Sequence, residues 1–345
     1  MNNPKLFYYS LPKYHFKYKT VKNIPEAVSK VQKILNQLSL VPQSDIRKVV
    51  SDNTKAHYSA VVLDSKKNKY FIKIKFQKNY FLDKIFERNL ILSRILSQNP
   101  EISLIKYIPR VVEATEDYTL SEFTDGMNLG YRYQYNYSII KKSDLALING
   151  VLASLKAFPI KLFNNTIESY GWDYFLFLIF ELTDFQANAR VFESHFPKEM
   201  VLGIDRLRKN TILKEILDTA PQQLCHGDFK PNNLMLKNNR IYLVDWDAYG
   251  IGSKYIDISY FYDKIYRQPQ IQKKYLIAHN GTSIKSQILQ YAWLFAYSFS
   301  ECFYLIGHVN ELINKSTEDA EAIKKIFKNE LDNTTIFFHN LIELV

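Results

Sequence analysis

The segment His226-Gly227-Asp228-Phe229-Lys230-Pro231-Asn232-Asn233 sets an Asp and an Asn five positions apart in a stretch whose Gly, Pro and Asn residues mark a loop. Twelve residues after Asn233, Asp245 closes the apolar run Leu243-Val244 and is followed by Trp246-Asp247. These residue types at these spacings suit phosphoryl transfer. One carboxylate, Asp228, takes the proton of an attacking hydroxyl and orients it. An amide and a carboxylate, Asn233 and Asp245, supply the hard oxygens that magnesium prefers, with waters and nucleotide phosphates completing its shell. Lys230, two residues past the base, is a cation for the transferring phosphoryl oxygens. Each residue also has an ordinary reading: an Asx-turn Asp, a turn Asn, an Asp at a strand end, a solvent-facing Lys. Those readings do not account for the whole set together. His226, at the end of the apolar Leu224-Cys225 step, reads as a structural residue that pins the loop.

A second basic site lies far upstream. Phe71-Ile72-Lys73-Ile74-Lys75 reads as a strand with two lysines on one face. A strand lysine can hold nucleotide phosphates while paired with a helix glutamate. Lys73 is preferred because Ile72 and Ile74 bracket it, although periodicity alone leaves Lys75 open. Glu87, on the following helix, is the expected partner; the ordinary reading is a surface Glu beside Arg88.

The elements that position these groups fall into two kinds. Pro25 to Leu38 has helical spacing, with Pro25 suited to a first turn. Ile46–Val50, Tyr58–Leu63 and Tyr70–Phe76 read as strands, with a polar turn at Ser65-Lys66-Lys67-Asn68. Asp83 to Leu96 reads as a helix, and Arg110–Ala114 with Tyr118–Phe123 as a further hairpin. Beyond Gly126 the periods are helical over 141–158, 172–195, 197–218, 284–314 and 317–343, with strands only at Asn233–Leu236 and Ile241–Val244. The fold class is α+β, with a small antiparallel-sheet amino-terminal lobe and a larger helical carboxy-terminal lobe. The expected domains are an arm of unread role at 1–24, a nucleotide-binding lobe at 25–125 and a lobe with catalytic loop and acceptor site at 126–345.

Composition sets the bounds. Of 345 residues, 47% are hydrophobic and 23% charged, a globular balance. The net charge of +10 comes from scattered lysines without a dense basic run, so no specific nucleic-acid partner is expected. Cys225 and Cys302 give neither a disulfide framework nor zinc spacing, which fits a reduced, cytoplasmic setting. The amino terminus has no signal-peptide core. The longest apolar-rich run, Tyr291 to Ile306, is interrupted by Ser298, Ser300 and Glu301, so no membrane insertion is expected.

With these residues in hand, HGDFKPNN, LVDWD, the Gly250-Ile251-Gly252 turn and Tyr255-Ile256-Asp257-Ile258 together resemble the aminoglycoside phosphotransferase and choline kinase-like family. The resemblance runs from about Ile46 to Phe261. It implies the bilobal protein-kinase-like fold, Asp228 as base, Asn233 and Asp245 as magnesium ligands, and Asp257 as a brace for the catalytic loop. It also makes Leu120 to Gly126 the hinge strand, with Ser121, Glu122 and Phe123 beside the adenine. The turn matching the phosphate loop, Ser51 to His57, has no Gly; Asn53 is its residue assigned to the nucleotide. Gly227 stands where protein kinases carry Arg, and no Ala-Pro-Glu follows Asp245, which makes a protein kinase the lesser reading. The implied activity is magnesium-dependent transfer of the γ-phosphate of ATP, or of another nucleoside triphosphate, to the hydroxyl of a small molecule: an aminoglycoside, choline, ethanolamine, thiamine or a sugar. The alternative from another class is a catalytically inactive kinase-like binding module, supported only by the Gly-free loop. For the acceptor, Trp172, Tyr174, Trp293, Tyr297 and Phe303 are either a box for a cationic group or plain helix core, and Glu301 is either a substrate anchor or the partner of a buried cation.

Overall fold

The computed structural model describes residues 23–52, 57–76, 80–131, 137–138, 140–164, 166–266, 268–312 and 317–345. Asn53 and the arm to residue 22 lie outside them. The chain forms two compact units. The first takes the described residues of 1–129 together with 146–168 and 233–249; the second takes 130–145, 169–232 and 250–345.

The first unit is built on a five-stranded antiparallel sheet. Helix α1 (Ile24–Gln37) is capped by Asn23, whose side chain accepts from the Glu26 N–H, with Pro25 in its first turn. Strand β1 (Val41–Pro42), helix α2 (Ile46–Asp52), strands β2 (His57–Leu63) and β3 (Lys69–Lys75), helix α3 (Tyr80–Gln98), and strands β4 (Val111–Ala114) and β5 (Tyr118–Glu122) follow. The sheet order is β1-β2-β3-β5-β4. Val31 and Leu35 of α1 pack into one buried cluster with Val62, Ile72, Ile74 and Leu120. The expected strand at Ile46–Val50 is a helix instead. Asp45 accepts from the Lys48 N–H at 3.0 Å, an N-terminal cap that outweighs the β-branched content of the segment.

A second, three-stranded sheet belongs to the same unit. Strand β6 (Met127–Asn128) pairs with β7 (Leu234–Lys237), which forms a hairpin with β8 (Arg240–Leu243). Asn238 and Asn239 turn it, both with positive φ, as the Asn-Asn pair leads one to expect.

The second unit is helical. Its main pieces are α4 (Tyr255–Lys264), α5 (Pro269–His279), α6 (Ile284–Leu312) and α7 (Thr317–Leu344), with α7 and α4 both packed on α6. The α+β class with a small sheet lobe and a larger helical lobe is therefore as expected. Three details differ. The helix expected over 172–195 is broken: Trp172–Leu176 runs into a π-turn at Phe177–Glu181 and a bend with Asp184 at φ 47°. The helix expected over 197–218 is two, because Asn210 stops one and caps the next by accepting from the Leu213 N–H at 2.8 Å. Short strands at Ser169–Tyr170, Gln223–Cys225 and Gly250–Gly252 make a small sheet that three-residue runs do not announce. Among the described residues no helix is long and apolar enough to cross a membrane.

Candidate active site

The hairpin of the first unit delivers two of the expected groups to one end. Leu234 pairs with Leu243, and the Asn233 carbonyl accepts from the Val244 N–H at 2.9 Å, so Asn233 and Asp245 leave the same end of the ladder. Asp245 has φ 67° and ψ 59°, a left-handed conformation that costs a non-glycine residue energy and clusters at functional sites. The turn lets the chain leave the strand and enter the short 3₁₀ segment Trp246–Ala248. The Trp246 indole N–H fixes that segment by donating to the Leu243 carbonyl at 2.9 Å.

Lys73 lies mid-strand in β3, between Ser59 of β2 and Thr119 of β5. Its Nζ is 2.5 Å from Asp245 Oδ1 and 2.7 Å from Asp247 Oδ2. Burial by itself would lower the pKa of this ammonium; the carboxylates of Asp245 and Asp247 outweigh it and hold it above the ordinary lysine range. Lys75 goes elsewhere, to Asp83 at 2.7 Å. The expected partner Glu87 is not at Lys73. Its carboxylate meets Lys84 at 2.8 Å and is 55% exposed. The reason is helical phase. Asn89 of α3 donates to Asp247 Oδ1 at 2.9 Å, and Glu87, two residues earlier, lies about 200° around the helix from it.

The donor set suits a magnesium ion. Asn233 and Asp245 are hard oxygens at one hairpin end, and the Asp245 carboxylate already faces a cation. No group of three or more His, Cys, Asp or Glu among the described residues makes a metal cluster of its own. The hinge is less open than expected. The Glu122 N–H is donated to the Arg110 carbonyl at 2.9 Å and the Phe123 N–H to the Lys69 carbonyl at 3.3 Å, so neither is free for an adenine edge. Ser121 is paired with Phe71 in the sheet. Glu122 and Phe123 line a cleft of about 280 Å³ together with Arg110, Lys237 and Tyr242.

The second unit carries the loop of the expected base. Strand Gln223–Cys225, paired with Gly250–Gly252, runs directly into it. Asp257 of α4 is fully buried, and its two oxygens accept from the backbone N–H groups of His226 at 2.7 Å and Gly227 at 2.9 Å. That is the brace expected of it. Gly227 has φ 73°, which glycine adopts without steric cost. Asp228 is 3% exposed, and its Oδ2 meets Lys230 Nζ at 2.8 Å. Burial and then the Asp228 charge push the Tyr260 phenol well above its usual range, so this tyrosine of α4 is a neighbour of the expected base.

The aromatic residues considered for the acceptor are mostly core. Trp172, Tyr174, Trp293 and Tyr297 are all buried, with Trp293 5.8 Å from Tyr174 and 6.3 Å from Tyr297 between ring centroids. Phe303 stacks on Phe192 at 5.4 Å. Glu301 is paired with the buried Lys264, which also meets Asp263 at 2.9 Å. Burial, followed by the charge of Asp263, raises the Glu330 carboxyl well above its usual range. Glu301 is thus the partner of a buried cation, while Lys264, Asp263 and Glu330 carry no motif that marks them in the sequence.

The phosphotransferase enzyme family matches residues 172–283, a segment that includes Asp228, Asn233, Asp245 and Asp257. That segment of the chain is similar to this family, in keeping with the resemblance that its motifs carry. No curated protein matches the chain. Among solved structures, the gentamicin complex of APH(2")-IIa is 19% identical, covers 88% of this chain and 95% of its own, and has a TM-score of 0.50. The complex of APH(2")-IIia with GDP and kanamycin is 12% identical, covers 89% and 99%, and has a TM-score of 0.56. A thermostable mutant of aminoglycoside phosphotransferase APH(4)-Ia with ADP and hygromycin B is 12% identical, covers 88% and 98%, and has a TM-score of 0.52. At such identities the likeness is one of fold.

Proposed function

We propose that this protein is a small-molecule kinase that moves the γ-phosphate of a nucleoside triphosphate to an alcohol. The observation that carries the reading is the meeting of Lys73 with Asp245 at the hairpin end that also presents Asn233. A phosphate-binding cation and two hard oxygens then share one small region, which a mere strand lysine and turn residues would not require. Asn233 and Asp245 would hold magnesium, which neutralises phosphate charge and orients the nucleotide when bound.

The chain's own residues account for the remaining work. Lys73 holds phosphate oxygens. Asp228 accepts the proton of the acceptor hydroxyl as its oxygen attacks the γ-phosphorus and the bond to the β-bridging oxygen breaks. The Asp257 brace keeps that carboxylate in place. Lys230 neutralises charge on the phosphoryl oxygens. The complexes named above contain gentamicin, kanamycin or hygromycin B, which supports a small hydroxyl-bearing acceptor; one contains GDP and one ADP, so ATP and GTP are both donors to test.

The test is a screen of aminoglycosides, choline, ethanolamine, thiamine and sugars for acceptor-dependent release of nucleoside diphosphate. With an acceptor found, Asp228→Asn should leave nucleotide affinity nearly unchanged and lower turnover by about 10²–10⁴-fold, the usual weight of general acid–base help. Turnover as fast as the parent's would remove Asp228 from the mechanism. Nucleotide binding without transfer to any acceptor would favour the inactive binding module.

A further inference from the structure

We propose that Asp247 and Asn89 are the positioning residues for Lys73, in the place that a helix glutamate takes in kinase-type sites. This rests on the phosphotransferase reading for its functional meaning, but the contacts belong to the fold of the first unit. Asp247 is 2% exposed, and each of its oxygens has its own donor: Lys73 Nζ at 2.7 Å on Oδ2 and Asn89 Nδ2 at 2.9 Å on Oδ1. A buried carboxylate satisfied on both sides has one stable orientation.

The backbone around Asp247 is fixed as well. Trp246 ties the turn back to Leu243. The Tyr249 hydroxyl donates to the Arg88 carbonyl of α3 at 2.6 Å, and the Arg88 guanidinium lies over the Tyr249 ring at 4.6 Å. The turn is therefore fastened to the helix by residues adjacent to the Asn89–Asp247 contact. Glu87, the residue that would pair with Lys73 in the usual arrangement, lies on another face of α3 with Lys84.

Charge gives the arrangement a purpose. A carboxylate that must serve a metal is a poor permanent partner for the phosphate lysine. Lys73 pairs with both carboxylates, so it would keep Asp247 as a partner if Asp245 turned to a second cation. The helix acts on the lysine through a neutral amide, so α3 orients Asp247 without adding charge.

The experiment compares Asp247→Asn, Asp247→Glu, Asn89→Ala, Glu87→Gln and Lys73→Ala in the full chain, with two readouts. One is the Kd for ATP and for GTP with magnesium, by calorimetry. The other is the rate at which an acetylating reagent modifies Lys73 without nucleotide, followed by mass spectrometry. Asp247→Asn should weaken nucleotide binding by about tenfold or more, the usual weight of a hydrogen bond between charged groups, and Asn89→Ala by about threefold. Glu87→Gln should stay within about twofold, and Asp247→Glu should recover most of the loss. Adding Asp247→Asn to Lys73→Ala should cost little more than Lys73→Ala alone, because the two residues act as one unit. Lys73 should be acetylated faster in Asp247→Asn and Asn89→Ala and unchanged in Glu87→Gln. A Glu87→Gln loss equal to that of Asp247→Asn, or additive losses at 73 and 247, would overturn the proposal. If the parent binds neither nucleotide, the kinase reading fails, and the acetylation rates alone decide the positioning. If Asp247→Asn does not fold, Asn89→Ala and Asp247→Glu carry the comparison.

Discussion

Gly227 turns at φ 73° while its N–H is held by Asp257 at 2.9 Å. An alanine there would have to keep a left-handed conformation, at about 1–2 kcal/mol, or give up the bond and move the residue that follows. That residue is Asp228. Gly227→Ala is therefore expected to lower unfolding free energy by about 1–2 kcal/mol and to reduce kcat by more than the nucleotide Kd changes. Denaturant titration and steady-state kinetics check both, and a variant with parental kcat would show that the loop tolerates the displacement. Residues of this kind were legible because chemistry and spacing stand side by side in the chain: Asp228, Asn233 and Asp245 lie within eighteen positions. The partner of Lys73 was not. Asp247 is visible in the Asp-Trp-Asp run, but it lies 174 residues from the lysine that it holds, and only the packed unit brings the two together. The nearer candidate, Glu87, failed on a helical phase that residue types do not fix.

At the scale of elements, α5 makes a prediction of its own. His279, in its last turn, stands 4.6 Å from the Tyr275 ring. Burial, and then the Lys254 charge, lower its pKa from 6.5 to about 4. The imidazole thus stays neutral in the fold while it would take a proton in the unfolded chain. Between those two values the unfolded state binds more protons, so the contribution of His279 is complete above pH 6.5 and is lost as the pH falls toward about 4. Allowing for partial exposure, the loss is on the order of 1–2 kcal/mol. Urea unfolding of the parent and of His279→Gln at pH 7 and pH 4.5, as roughly bracketing values, should show a smaller fall for the variant. Equal falls would mean that the ring is protonated in the fold. The neighbouring elements also explain which helices and strands could be read from sequence. The hairpin carrying Asp245 was clear from its alternation and its Asn-Asn turn. The segment at Ile46 reads as a strand from its Ile and Val residues, whereas the decisive signal is one capping side chain, Asp45. The strands at 169–170, 223–225 and 250–252 are too short to show a period, and their pairing is wholly non-local.

For the molecule as a whole, the proposed chemistry has a consequence that needs no acceptor. A ligand that binds the folded chain alone raises its stability by about 2.7 kcal/mol at roughly a hundred times Kd. For a chain of 345 residues, that corresponds to a rise in Tm of about 4 °C. The effect should depend on the metal, because Asn233 and Asp245 would reach the phosphates through it, whereas the proposed phosphate contacts of Lys73 and Lys230 would lend their positive charge with or without it. Nucleoside diphosphate with magnesium is therefore expected to raise Tm, and chelation of the metal to remove most of the rise. Asp245→Asn replaces the charged ligand with an amide, so it should fold, keep its Tm without ligand within a few degrees at roughly one kcal/mol, and lose the metal-dependent part of the shift. Scanning calorimetry of parent and variant, each with nucleotide, with nucleotide and magnesium, and with chelator, separates the possibilities. A rise that is the same with and without magnesium would leave a nucleotide site held by lysines alone and take the metal away from Asp245. A metal-dependent rise that survives Asp245→Asn would move the ion to other oxygens, with Asp247 the first to examine. Because the readout is stability, it separates a protein that binds no nucleotide from one whose acceptor has not been supplied.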